Sequence, residues 1–283
     1  MAIDHFKAEI WAAELIVQLR KSLVFAGPGV VNHDYEGEIQ QAGDTVHISS
    51  VGGVTIGDYT GADITYDDID DSGTTLVVDQ KKYFAKRLDD VDKAQSVNGG
   101  AVMAMIMSNA AYGLSDVADQ YVASFYTQAS AANVLTAVTD FTATGQAYDT
   151  LVDLDVTLDE ANVPTEGRYA IVPPWYYGLL QKDPNFINAN KSADGGAALR
   201  NGVVGRAAGF DIMESNNCAQ PSAGTTYVVQ AGTPMAVSFA NQIVKTEALR
   251  DPDAFKDRVR GLHVYGGKVI YPDGLAVVTC TRP

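Results

Sequence analysis

Hydrophobic residues recur at three- and four-residue steps in several stretches of the chain, which is the spacing of one face of an α-helix. The longest such stretch covers residues 101–129, and shorter ones cover residues 6–24 and 146–162. A further short helix is predicted at 174–182, because proline fits its first position. The stripe of the longest helix consists of Met103, Ile106, Ala110, Leu114, Val117, Tyr121 and Phe125.

Runs rich in β-branched and aromatic residues predict strands between these helices. Two runs, at residues 44–51 and 74–84, flank the polar stretch 57–73, so we expect one long β-hairpin within residues 43–92. Because helices and strands mix without a regular βαβ order, the predicted fold class is α+β. Shorter strands are expected at 168–173, 210–214, 226–230, 235–239, 258–265, 269–272 and 275–280, with an extended arm at 30–42 and a polar segment over 240–253.

The predicted hairpin needs a partner surface. Its central residues 57–73 are too polar to form a core of their own. A two-stranded ribbon by itself is marginally stable in water, so the hairpin should pack against its own chain or against another copy. The pattern therefore favours a protein that assembles.

The charge of the chain is concentrated in the same region. Residues 22–80 contain no Lys or Arg and hold eleven acidic residues, in a chain whose formal net charge is −15. An acidic segment followed directly by cations allows head-to-tail complementarity between copies. A charge run taken alone is more often a solvated loop, and that interpretation stays open. The cations are Lys81, Lys82, Lys86 and Arg87.

Composition limits the classes of function. With 46% hydrophobic and 19% charged residues, the 283 residues can bury one large core or two modest ones. The acidic balance argues against a surface that grips nucleic-acid phosphates, because such affinity depends on Lys and Arg. Cys218 and Cys280 are too few for a disulfide framework and are expected to be buried in a protein from a reducing cytosol. No signal peptide or membrane span is expected.

The strongest competing motif is the acidic loop of residues 68–79. Asp68, Asp70 and Asp79 stand where an EF-hand loop places oxygen ligands for calcium, so a calcium-binding extracellular module is the alternative. The flanking strands argue against an EF-hand. A hydrolase that uses an Asp pair is a third hypothesis. The 4 histidines are scattered without zinc-site spacing, so no catalytic residue, metal ligand or cofactor is expected.

The order of the elements resembles that of a known family. An N-terminal arm, a long acidic hairpin, a spine helix and a mixed region follow one another along the chain. On these grounds the chain resembles the major capsid proteins of tailed bacteriophages with the Hong Kong 97 fold, and within them the podovirus-like coat protein family. The stretches that strengthen the likeness are residues 42–48, 76–85, 88–92, 168–174 and 261–270.

The resemblance implies a shell subunit that is not an enzyme. The expected function is self-assembly into the icosahedral shell that encloses the double-stranded DNA of a tailed bacteriophage. Some relatives form covalent crosslinks through a lysine of the long hairpin, which is called the E-loop. The hairpin of this chain has no lysine before Lys81, which argues against such crosslinks here. The implied segments are an N-terminal arm at 1–42, an E-loop hairpin at 43–87, a peripheral domain with the spine helix at 88–150, an axial domain at 151–234 and a return to the peripheral domain at 235–283.

The resemblance also implies partners and contact residues. Copies of the chain are expected to form hexamers and pentamers, with a separate scaffolding protein, a portal, packaged DNA bound without sequence specificity, and no membrane. The protein is expected in the virion capsid after synthesis in the bacterial host cytoplasm. The candidate residues of the subunit interface are Asp58, Tyr59, Asp63, Asp67, Asp68, Asp70, Asp71, Lys81, Lys82, Lys86, Arg87, Phe6, Ile10 and Trp11.

Overall fold

The computed structural model describes residues 24–34, 45–51, 71–90, 101–141, 145–182, 203–222, 224–252 and 254–283. Helices and strands both occur throughout these ranges, which confirms the α+β class. The elements are β1 (Thr45–Val51), β2 (Asp71–Val77), β3 (Gln80–Asp89), α1 (Ala101–Ala123), β4 (Val134–Val138), α2 (Gln146–Glu160), β5 (Tyr169–Val172), α3 (Pro174–Lys182), β6 (Val203–Ala207), β7 (Phe210–Glu214), β8 (Thr226–Gly232), β9 (Val237–Arg250), β10 (Lys256–Val269) and β11 (Leu275–Thr281).

The described strands form three sheets. β1 and β2 make an antiparallel ribbon, and β3, β10 and β9 make an antiparallel sheet in that order. The other strands form a mixed sheet with the order β4-β11-β8-β5-β7-β6, in which β4 is parallel to β11 and β5 is parallel to β7. The last strand of the chain therefore lies beside strands from its middle.

The central strands β5, β8 and β11 of the six-stranded sheet are buried on both faces. Side chains of β11 alternate between two cores, as the two-residue period of a strand requires. Ala276 and Val278 join the core under α2, whereas Val277 joins the core at the end of α1. The face of α2 that packs on the sheet was predicted from its spacing. It consists of Leu151, Leu154 and Leu158, all fully buried.

Residues 24–34 pack into the core at the end of α1. Phe25 and Val31 are buried there, and the backbone of Asn32 bonds to β9. The extended arm expected at 30–42 is therefore corrected in its first part, because its apolar side chains have a core to enter. The rest of that prediction lies outside the described residues.

Helix α1 lies across one face of the three-stranded sheet. Met107 and Leu114 of the helix pack on Val259 of β10 and on Phe84 of β3. The buried face is displaced by about one position from the predicted stripe, so Val117 is exposed. The α-helix ends at Ala123 and the chain continues as a 3₁₀ helix at Ser124–Gln128, so the predicted helix to residue 129 is shortened.

The antiparallel pairing predicted for the hairpin of residues 43–92 is confirmed between β1 and β2, but β3 does not continue it. β2 pairs with β1, whereas β3 lies in the body of the subunit beside β10. The chain changes sheets after Val77, where it crosses over Gly266 of β10. A Cβ atom at Gly266 would lie 2.4 Å from the Val77 carbonyl oxygen, so glycine makes the crossing possible. The expectation of one strand over 74–84 is therefore wrong.

Long pairings correct two further predictions. β9 and β10 each contain 14 residues and pair along their length, so most of the polar segment expected at 240–253 is strand. The two short strands expected at 258–265 and 269–272 are likewise replaced by β10 alone. Strand β4 was not predicted. β10 also pairs with β3 and β4 pairs with β11, and these partners are distant in sequence, so no local pattern contains the pairings that complete the backbone hydrogen bonds.

Candidate subunit-interface site

Strand β3 presents a row of cations at the edge of the three-stranded sheet. Among the described strands β3 pairs only with β10, so its other edge is open. Lysine on an open edge discourages pairing with a foreign strand. The row therefore protects the edge and also offers positive charge on an acidic protein. It consists of Lys81, Lys82, Lys86 and Arg87, all of them exposed.

The pleat of β3 divides these cations between two faces. Phe84 and Leu88 pack towards α1, and Lys82 and Lys86 lie on that face by alternation. Arg87 lies on the opposite face, which no described helix covers near this residue. We call this face the outer face of the three-stranded sheet. It consists of Lys81, Tyr83, Arg87, Leu249, Arg258 and Arg260.

Two arginines stand directly opposite one another on the outer face. The register of β3 and β10 pairs Arg87 with Arg258, and like charges in this position destabilise a sheet. Arg258 forms an ion pair with Asp251. Arg87 forms no ion pair with any described residue. A face that tolerates this repulsion is suited to a negatively charged partner.

Large exposed apolar side chains lie beside these arginines. Tyr83 is 77% exposed in the middle of β3, and Phe255 is 81% exposed at the turn between β9 and β10. Aromatic residues and arginine are enriched where protein interfaces hold their binding energy. Neither residue was predicted from the sequence, although a phenylalanine within a polar turn is itself a signal of an interface.

Arg250 fixes the turn that carries Phe255. Its guanidinium donates to Asp90 and, at 2.9 Å, to Asp257. Hydrogen bonds to these two carboxylates raise the pKa of Arg250 above its ordinary value. The N–H of Asp90 also donates to the Phe255 carbonyl at 3.1 Å. The end of β3 and the turn between β9 and β10 are therefore held together and form one surface.

The acidic and N-terminal parts of the predicted interface lie outside the described residues. Asp71 is the first residue of β2, and its backbone pairs with Val51. The structure brings together the four predicted cations on β3, and it adds Tyr83 and Arg258 to them. The residues outside the described ranges are Asp58, Tyr59, Asp63, Asp67, Asp68, Asp70, Phe6, Ile10 and Trp11.

The described part of the chain shows no metal centre. No three His, Cys, Asp or Glu side chains in these ranges are grouped to hold an ion. Two residues of the calcium motif, Asp68 and Asp70, lie outside the described residues. A groove of about 520 Å³ between β4 and α2 is lined by Asp140 and Asp153, but by no described histidine or cysteine. None of the described helices is long and apolar enough to span a membrane.

The cysteines and His263 are buried. Cys218 and Cys280 are free thiols inside the protein, as predicted, and burial raises the pKa of both, to about 12 for Cys280. His263 Nε2 lies 2.6 Å from the side-chain oxygen of Asn241, and burial lowers the pKa of the imidazole to about 4. These three groups are therefore neutral near pH 7.

Comparison with known proteins defines the class of this protein. A model of the phage capsid protein family matches residues 73–278. A solved structure from Mycobacterium phage Che8 is 32% identical, with 90% of each chain covered and a TM-score of 0.66. The capsid of cyanophage P-SCSP1u is 20% identical, with 93% of this chain and 90% of that chain covered and a TM-score of 0.68. For the capsid of Ralstonia phage GP4 the identity is 11%, the coverage 93% and 90%, and the TM-score 0.70. No curated protein matches the chain.

The chain therefore belongs to the phage capsid protein family. It is a major capsid protein with the Hong Kong 97 fold, and the resemblance to tailed-phage major capsid proteins is confirmed. The narrower likeness to podovirus-like coat proteins stays a prediction. The family implies a structural role, and the alternative of a calcium-binding extracellular module is not supported.

Proposed function

We propose that this chain assembles with identical copies into hexamers and pentamers of an icosahedral shell, which encloses the double-stranded DNA of a tailed bacteriophage. The observation that carries the proposal is the 32% identity, over 90% of both chains, with the structure from Mycobacterium phage Che8. The subunit is made in the bacterial host cytoplasm and becomes part of the virion. It performs no enzymatic turnover.

The proposed shell has further partners. A separate scaffolding protein directs assembly, and a portal completes the particle. The packaged DNA is held without sequence-specific contacts, because a subunit of net charge −15 repels phosphate over most of its surface. This repulsion suits the wall of a container that must release its genome.

The described contacts support a division of the subunit that differs from the predicted boundaries. In the proposed peripheral domain, α1 packs on the sheet of β3, β10 and β9. In the proposed axial domain, α2 packs on the sheet that contains β5, β7, β8 and β11. In this proposal β3 belongs to the peripheral domain and not to the E-loop predicted at 43–87, and β11 belongs to the axial domain and not to the peripheral return predicted at 235–283. The N-terminal arm at 1–42 stays as predicted up to residue 23.

The proposed contact between copies is electrostatic and head-to-tail. Residues 58–71 hold six aspartates and no cation. The outer face of a second copy presents Arg87 and Arg258, whose mutual repulsion an acidic partner would relieve. Such pairing sets the register of two copies more than it adds affinity. In the same proposal the apolar residues Phe6, Ile10 and Trp11 of the N-terminal arm grip a further copy.

Reversal of two cations on β3 should disrupt assembly without unfolding the subunit. In the double variant Lys81→Glu with Arg87→Glu, both on the outer face, the acidic segment of the next copy meets like charges, so particle yield should fall by about tenfold or more. The matched control is Lys182→Glu with Arg282→Glu, which reverses two exposed cations away from β3. Sedimentation velocity and electron microscopy of the overexpressed protein measure the yield, and circular dichroism measures the fold.

A charge exchange makes this experiment specific. Addition of Asp67→Lys and Asp68→Lys to the β3 double variant should recover particles, because both partners then carry reversed charges. Equal yields from the β3 variant and its control would exclude the contact. Failure of the unchanged protein to form particles under any condition, with or without coexpressed phage proteins, would exclude the shell function itself.

A further inference from the structure

The carboxylate of Asp119 in α1 binds the backbone of a turn that is distant in sequence. Its Oδ1 atom accepts the N–H groups of Val24, Phe25 and Ala26 at 2.9, 2.7 and 3.4 Å. The first N–H groups of a helical turn have no acceptor inside the turn, and a side-chain oxygen is the usual substitute. Here a helix from another part of the chain supplies that substitute.

Asp119 is also connected to the six-stranded sheet. Asn217, which follows β7, donates its side-chain amide to Asp119 Oδ2 at 3.1 Å and to Asp116 at 2.8 Å. One carboxylate therefore joins the segment 24–34, the helix α1 and the end of a strand in the six-stranded sheet. These three parts contribute residues to the two main cores of the subunit.

The burial of this carboxylate is energetically unfavourable. Asp119 is 2% exposed, and burial raises its pKa above the ordinary value although four hydrogen bonds act in the opposite direction. The bonds therefore do not fully offset the lost hydration of the charge. An apolar residue would avoid that loss but would leave the N–H groups of residues 24–26 without their acceptor, so the contribution of Asp119 is to hold these groups in place.

We propose that Asp119 is a positioning residue for assembly, which fixes the point where residues 1–23 join the body of the subunit. The inference rests on the proposed function, in which the N-terminal arm contacts another copy. An arm whose root is held by three bonds to a helix begins from one defined place and direction. Without the carboxylate the root of the arm would adopt several positions and directions, and fewer copies would meet in the correct geometry.

The variant Asp119→Asn tests the anchor, because it keeps the shape and one acceptor oxygen but removes the charge. Hydrogen bonds to charged groups are the stronger ones, so amide hydrogen exchange at residues 24–26 should become about tenfold faster. The matched control is Asp116→Asn, which removes the same charge from the same helix and also contacts Asn217. It should leave that exchange within about twofold of the unchanged protein. Mass spectrometry of the full-length protein before assembly gives both rates.

Assembly is measured separately by counting closed particles in electron micrographs. We expect Asp119→Asn to give about threefold fewer closed particles and Asp116→Asn to match the unchanged protein. Unchanged exchange in Asp119→Asn would overturn the anchor, and faster exchange with a normal particle count would overturn its role in assembly. If the unchanged protein forms no particles, the proposed function fails, while the exchange rates still decide the anchor.

A second variant covers the case in which Asp119→Asn does not fold. Asn217→Ala leaves the charge of Asp119 in place and removes the amide that donates to Asp119 Oδ2 and to Asp116. It should speed exchange at residues 24–26 by about threefold, with a matching loss of closed particles. No change in either measurement would count against the proposal.

Discussion

Arg168 joins a helix, a loop and a strand through a single side chain. Its guanidinium is buried and donates to Asp155 at 2.6 Å and to Asp159 at 2.7 Å. It also donates to the carbonyl oxygens of Val163 and Pro164. A buried charge is tolerated where it is paired and hydrogen-bonded in this way. The side chain therefore closes the end of α2 onto the start of β5.

Such contacts show what a sequence pattern can and cannot predict at the scale of residues. The continuous apolar run after residue 168 predicted a buried strand there, because a strand that is covered on both faces carries apolar residues at successive positions. The acceptors of Arg168 depend on where α2 meets β5 in space, which no local pattern contains. The cations of β3 were predicted from the sequence. The position of Arg87 opposite Arg258 and the bonds from residues 24–26 to Asp119 were not, because they depend on contacts between distant segments.

His263 should make the unassembled subunit less stable in acid. Burial lowers its pKa from 6.5 to about 4, so the folded state disfavours the charged imidazole. The contribution of His263 to the free energy of unfolding is therefore fully present above pH 6.5 and is lost as the pH falls towards 4. Relative to His263→Gln, the unchanged protein should lose roughly 2 kcal/mol between about pH 7.5 and about pH 4.5. Urea unfolding at both pH values measures the difference, and parallel losses in the two proteins would refute it.

At the scale of elements, prediction succeeded where an element packs by its own period. The leucines of α2 and the apolar run of β11 point to buried surfaces, and both elements were found close to the predicted bounds. The second half of β9 has no such run. It is a strand because β10 supplies its backbone partners, and backbone hydrogen bonding does not require apolar side chains.

Two glycines should respond with opposite signs to the same substitution. At Gly266 the added Cβ would meet the Val77 carbonyl oxygen at 2.4 Å, so Gly266→Ala should lower the free energy of unfolding by about 1–3 kcal/mol. At Gly113 in α1 nothing lies within 4 Å of the added Cβ, so Gly113→Ala should raise it by about 0.5–1 kcal/mol. Urea unfolding of the unassembled protein measures both. If Gly266→Ala is as stable as the unchanged protein, the crossing of β2 into β3 over β10 is not as tight as described.

At the scale of the whole molecule, charge acts differently at long and short range. The subunit has a formal net charge of −15, yet Lys81, Arg87, Arg258 and Arg260 all lie on the outer face of one sheet. Two approaching copies therefore repel through their total charge. In the proposed contact they attract where the outer face of one copy meets the acidic segment of the other. Whether two copies attract or repel one another overall depends on the distance over which each force is screened.

Salt should therefore speed assembly up to physiological concentration. An increase in ionic strength from about 0.01 M to about 0.15 M shortens the Debye length from about 30 Å to about 8 Å, which screens the repulsion between separated copies. Charges in contact are screened much less, so the attraction at the outer face survives. Light scattering of purified subunits should show a rising assembly rate over this range, and the more acidic variant Lys81→Glu with Arg87→Glu should stay slow at every concentration. A steady fall in the assembly rate of the unchanged protein would contradict this prediction. It would mean that the attraction between the outer face and the acidic segment dominates already at long range, because only then does screening remove more attraction than repulsion.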